Sequence, residues 1–187
     1  MRIVAGKYRG KHLTSPSDTS IRPTADRVRE SVFNILGSRL GPVLDGKRVL
    51  DLFAGTGALG LEALSRGAAH VTFVETGTEA RGLIRDHIQD FGAAGITKLL
   101  RRDATALGAP GTFGQFDLVF LDPPYNQGLG EKALAELAAN GWLAEGATIV
   151  WEESTDAAVI IPAGFTLEDT REYGAAAIRF LSFGAAE

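Results

Sequence analysis

The chain has 187 residues, 45% apolar and 22% charged, with no cysteine and a formal net charge of −4. This fits one globular domain with a full core and excludes global disorder, disulfide scaffolds, thiolate metal sites and cysteine nucleophiles. His12, His70 and His87 stand at no metal-ligand spacing, no run approaches the roughly 18 apolar residues of a membrane span, and no apolar leader follows Met1. The expectation is a cytoplasmic, monomeric protein with no metal and no membrane segment. It is organised as one domain over 1–187, a small N-terminal extension (1–40) on a core (41–187).

Charge is unevenly spread. Residues 1–30 hold seven Lys or Arg against three Asp or Glu, whereas the remainder is acidic. Arg2–Leu13 predicts two short strands around Gly6-Lys7-Tyr8-Arg9-Gly10. A loop rich in Ser, Thr, Pro and Asp follows, up to Thr24, which can cap a helix carrying Asp26 in its first turn. Val28, Val32, Ile35, Leu36 and Leu40 then recur at helical spacing and define one apolar face. A basic arm on an acidic chain can supply phosphate contacts, and its candidates are Lys7, Tyr8, Arg9, Lys11, Arg22, Thr24, Arg27 and Arg29. Arg27 and Arg29 cannot share one helix face, so at most one points at nucleic acid and the other is placed to pair with Asp26 or Glu30.

From Arg48 the pattern becomes strand and helix in alternation. Apolar runs end at Phe53, at Val74 before Glu75, at Leu100, at Leu121 before Asp122, and at Trp151. Helical stretches lie between them at Ala58–Arg66, Glu79–Phe91 and Glu131–Ala139. Short, almost wholly apolar strands separated by helices predict an α/β, doubly wound, mostly parallel sheet covered on both faces. Phe165–Tyr173 and Ala176–Phe183, joined near Gly174, predict an antiparallel hairpin on its edge, for seven strands in all. Open sheets of this kind bind ligands beyond the carboxyl ends of their strands.

The residues at those ends carry the chemistry. Gly55, Gly57 and Gly60 satisfy G-x-G-x-x-G, and Glu75, 20 residues after Gly55, ends the next strand. Read as a ligand loop, the glycines admit the ligand and Glu75 takes ribose hydroxyls; tight turns without a ligand use glycines too. Asp51, four residues before Gly55, would repel a pyrophosphate and attract a cationic ammonium or sulfonium group, which favours S-adenosylmethionine over a nicotinamide; a buried helix-capping acid is the other reading. Asp103, with the N–H of Ala104, suits an adenine edge or simply caps a turn. Asp122-Pro123-Pro124-Tyr125 is the most specific element. Two prolines make the loop rigid and remove two N–H donors, so it presents acceptors beside an aromatic ring. That combination suits a planar base whose exocyclic amine is held while Tyr125 stacks on the ring.

With these residues together, the sequence resembles a class I S-adenosylmethionine-dependent methyltransferase with a Rossmann-like sheet. More narrowly it resembles the bacterial family that methylates guanine N2 of 16S ribosomal RNA at the helix 31 loop of the small subunit (the guanine-966 site). The resemblance runs from Arg2 to about Phe183 and rests on Arg2–Gly10, Arg22–Glu30, Asp51–Gly67 and Asp122–Tyr125. It implies that Asp51, Phe53, Gly55 and Gly57, with Ala54 and Thr56, line the methionine end of the cofactor. It likewise implies Glu75 with Thr76 at the ribose, Asp103 and Ala104 at the adenine, and Asp122, Pro123, Pro124 and Tyr125 around the guanine. 16S RNA or an assembling small subunit would be the partner. The sequence departs from the family at Gly77, where a polar residue is usual. Alternatives are an adenine-N6 methyltransferase of DNA or RNA, which usually needs a further target-recognition region, and a nicotinamide-binding module, which leaves Asp51 and Asp122–Tyr125 unexplained.

Overall fold

The alternating apolar runs assemble into one seven-stranded sheet in the computed structural model, which describes residues 1–16 and 23–184. Arg22 lies outside the described residues, as does the side chain of Thr24. In chain order the elements are α1 (Pro23–Leu40), β1 (Arg48–Leu52), α2 (Ala58–Ser65), β2 (His70–Val74), α3 (Thr78–Asp90), β3 (Thr97–Leu100), β4 (Phe116–Leu121), α4 (Leu129–Asn140), β5 (Leu143–Ser154), β6 (Phe165–Tyr173) and β7 (Ala176–Phe183). The strand order is β3-β2-β1-β4-β5-β7-β6. Strands β1 to β5 pair in parallel and β7 pairs antiparallel with both β5 and β6. The sheet is the expected mostly parallel one with its antiparallel edge hairpin. Among the described residues no helix is long and apolar enough to cross a membrane.

Apolar side chains fill both faces of the sheet. One cluster joins the N-terminal arm, α1, α2 and α3 to the sheet through Ile3, Leu13, Phe33, Leu36, Leu61, Ile84 and Phe73; the other joins α4 through Leu134, Leu137, Trp142 and Trp151. Helix α1 starts at Pro23, where a fixed φ and a missing N–H cost nothing. Thr24 therefore lies inside the first turn and not ahead of it. Strand β5 begins at Leu143 and not Ala147, because its pairing with β4 shifts register between Phe116 and Leu118.

The arm differs from expectation in a second way. Its two strands reduce to one bridge, Arg2 opposite His12, closed by Ile3 N–H to the Lys11 carbonyl and Gly10 N–H to the Ile3 carbonyl. What fixes the arm is the fully buried Glu62 of α2. Its carboxylate accepts Val4 N–H at 2.9 Å and Ala5 N–H at 3.0 Å and pairs with Arg66 at 3.0 Å. Tyr8, expected on the nucleic-acid face, is turned inward here, and of Arg27 and Arg29 it is Arg29 that takes the expected pairing with Asp26. Tyr8 is buried against Phe91, with ring centroids 4.8 Å apart. Arg29, only 4% exposed, hydrogen-bonds Asp26 at 3.0 Å and the Arg2 carbonyl, with its Nε 3.5 Å from Glu62. An aromatic ring and a guanidinium offer their bulk as readily to a protein interior as to RNA, and Glu62 supplies the charge that makes burial tolerable. Lys7, Arg9, Lys11 and Arg27 stay exposed.

Candidate active site

Register brings the site together. Leu52 is opposite both Val74 and Leu121, and Leu121 is opposite Trp151. The next residues, Glu75, Phe53, Asp122 and Glu152, therefore form a row across four adjacent strands at roughly 4.8 Å spacing. The row crosses between β1 and β4, where the strand order reverses and a crevice opens in such sheets. Phe53 has φ +55, unusual for a side chain this large, and it swings the chain sharply off β1 into the glycine loop. At Gly60 a Cβ would lie 2.5 Å from the Phe73 ring, so only glycine lets α2 settle on the sheet.

The glycine loop is held by the acids expected around it. Glu75 accepts Gly55 N–H at 2.8 Å and Gly77 N–H at 2.7 Å. A carboxylate has lone pairs to spare for a hydroxyl beyond these two bonds. Asp51 is buried and accepts Gly60 N–H at 2.9 Å in the first turn of α2, so it is a capping acid and also lines the cavity. Burial pushes its pKa up to about 8 against the lowering effect of the Gly60 N–H, and Glu75 adds to the rise; in the free protein it holds its proton at neutral pH. Asp103 accepts the N–H and hydroxyl of Thr105, which hold its pKa below the usual range and its carboxylate in a fixed turn. His87, buried beneath the loop, is 3.0 Å from the Thr56 carbonyl through Nδ1 and accepts Thr14 N–H at 2.9 Å through Nε2.

Two cavities adjoin here, sharing Phe53, Asp122 and Tyr125. One, about 700 Å³, is lined by Glu75, Thr76, Asp103, Ala104 and Pro123 among others. The other, about 370 Å³, runs from Asp51 and Ala54–Thr56 to Val28 and Val32 of α1 and to Tyr173 and Ile178 of the hairpin. Asp122 is exposed and lines both cavities. The surrounding protein first, and then the charges of Glu152, Asp51 and Glu153, hold its pKa well above the usual carboxylate range. Tyr125 is exposed, and its hydroxyl donates to Glu152; desolvation and that bond raise its pKa. Asn126, at φ +60, donates its N–H to Glu153 at 3.0 Å.

Every strand-end residue singled out in the sequence, from Asp51 to Tyr125, thus lies on one or both cavities or in the loops that frame them. Glu152 and Glu153 escaped sequence reasoning, although a signal was present: two acids follow the apolar run Ala147–Trp151, within a strand that continues to Ser154.

The family model described as "Conserved hypothetical protein 95" matches residues 1–182. The chain is 38% identical over 183 residues to "Ribosomal RNA small subunit methyltransferase D" of Escherichia coli (strain K12), covering 96% of this chain and 88% of that one. It is 35% identical over 181 residues to the protein of the same name in Haemophilus influenzae, covering 96% and 92%. The solved structure of the putative methyltransferase yhhF from Escherichia coli superposes with a TM-score of 0.83 at 35% identity, covering 100% of this chain and 99% of that one.

Proposed function

The chain belongs to the family described as conserved hypothetical protein 95, and from that premise we propose that it is an S-adenosylmethionine-dependent methyltransferase acting on the exocyclic N2 amine of a guanine in 16S ribosomal RNA. The observation that carries this reading is the Asp122–Tyr125 loop, whose two prolines remove two N–H donors, standing one strand away from the glycine loop. The acids fit the cofactor: burial raises the pKa of both Asp51 and Asp122, and a cationic ligand beside them would favour their charged forms, whereas a pyrophosphate would oppose them. Asp51 and Gly55–Gly57 would hold its amino-acid end, Glu75 its ribose, and Asp103 with Ala104 its adenine.

When bound, S-adenosylmethionine supplies a methyl group on a positively charged sulfur, and the carbon–sulfur electron pair returns to sulfur as the nitrogen–carbon bond forms. The protein's part is placement. Asp122 and the Pro123 carbonyl accept the two N2 hydrogens, which draws the lone pair out of conjugation, while Tyr125 stacks on the base. Asp122, whose pKa its surroundings raise, is a competent acceptor for the proton that N2 then loses. Lys7, Arg9, Lys11 and Arg27 are the exposed cations available to RNA phosphates, with arm and core acting as one domain.

Incubation with small subunits from a strain lacking this activity, followed by nucleoside mass spectrometry, tests the assignment. N2-methylguanosine at a single helix 31 position is expected. N6-methyladenosine, or no methylated nucleoside, overturns it.

A further inference from the structure

Asp122 and Glu152 follow the paired residues Leu121 and Trp151, so two carboxylates stand side by side on adjoining strands. Both line the 370 Å³ cavity with Tyr125. Glu152 is half-buried; Oε1 accepts the Tyr125 hydroxyl, and Oε2 has no hydrogen-bond partner among the described residues. The same end of β5 also holds the catalytic loop, through Glu153 and Asn126 N–H. An acceptor left open next to Asp122 faces whatever lies beside the amine that Asp122 holds.

On guanine, the neighbour of the N2 amine is N1–H, a donor. On 2,6-diaminopurine the same amine sits beside an N1 lone pair, which a carboxylate repels. We infer that Glu152 reads the N1–H of the target base and so selects guanine among purines with a 2-amine, its carboxylate aimed by the Tyr125 hydroxyl. This rests on the guanine-N2 reading above and adds to it the residue that enforces the choice. It also gives the Tyr125 hydroxyl a positioning role beside the ring's stacking role. Sites built to bond a substrate N–H reject analogues lacking it by about 10⁴–10⁵-fold when fully closed, and a half-buried Glu152 should give on the order of 10²-fold.

The test uses helix 31 hairpin RNA with guanosine or 2,6-diaminopurine riboside at the target position. Competitive methyl transfer is measured with the full-length protein, and equilibrium binding of both RNAs is measured in the presence of S-adenosylhomocysteine. The wild type should favour guanosine by about 10²-fold in transfer, with the same preference visible in binding. Glu152→Gln keeps the size of the side chain and can still accept the Tyr125 hydroxyl, while its amide can donate to an N1 lone pair. It should shrink the preference at least tenfold with cofactor affinity unchanged by calorimetry. Tyr125→Phe should fall between the two. A wild type that methylates guanosine but takes diaminopurine equally well, or a Glu152→Gln variant with an unaltered ratio, overturns the role of Glu152 and leaves the guanine reading standing. A wild type that makes no N2-methylguanosine overturns both.

Discussion

The strand-end row and the N-terminal arm carry the same kinds of residue and use them in opposite ways. On the row, Glu75, Asp122, Glu152 and Tyr125 turn toward cavities, and their hydrogen bonds are to loops beside those cavities. In the arm, Tyr8 and Arg29 turn toward the protein, and the groups that receive them, Phe91, Asp26 and the buried Glu62, belong to its interior and to α1. An aromatic ring or a charge is available to a ligand only where the fold leaves it an open side. At the carboxyl end of a parallel strand the open side is guaranteed by topology. In an arm it depends on partners such as Glu62, which lies 58 residues from Val4.

The sharpest break of that comparison is at Asp122. Asp122→Ala should lower kcat on the order of 10²–10³-fold, as removing one preorganised transition-state interaction does elsewhere. Its urea midpoint and its cofactor affinity should stay close to wild type; full activity would sink the amine-holding mechanism. The counterpart in the arm is the pair Arg29 and Arg27. Arg29→Ala leaves Glu62 with one cation fewer and the Arg2 carbonyl unpaired, and should cost about 3 kcal/mol in urea unfolding. Arg27→Ala, an exposed change, should stay within about 0.5 kcal/mol. Equal destabilisation by the two would erase the distinction between inward and outward cations. The smallest effect is on the arm's exposed face. Neutralising Lys7 and Arg9 to Gln should leave kcat unchanged and flatten the dependence of RNA binding on log salt, by roughly one unit for each RNA phosphate that the arm no longer neutralises. An unchanged slope would mean that RNA docks on another surface.

How much of this was legible in the sequence follows from the same contrast. The hairpin Phe165–Tyr173 and Ala176–Phe183 is read correctly to the residue, because a glycine turn between two strand-like runs is local information. The glycine loop, Glu75 and Asp122–Tyr125 are legible for the same reason. The inward turn of Tyr8 is not, since nothing between residues 1 and 30 announces Phe91; for Arg29 the pairing with Asp26 was legible and the buried Glu62 was not. Glu152 sits between these cases. Its position just after an apolar run was visible, but its neighbour across the sheet, Asp122, becomes known only once β4 and β5 are paired in register.

The two cavities differ in how far apart their walls lie along the chain. The larger is built wholly from residues between Phe53 and Leu129. The smaller gathers Met1, Val28 and Val32, then Asp51 and Phe53, then Glu152, Tyr173 and Ile178. Strand β7, which completes it, must enter between β5 and β6. The half with Glu75 and Asp103 can therefore mature from one contiguous stretch, while the chamber beside Asp122 has no local precursor and carries the larger loop-closure cost. The wall nearest Glu75 and Asp103 is thus local in sequence, whereas the chamber's far wall is joined from the two ends of the chain.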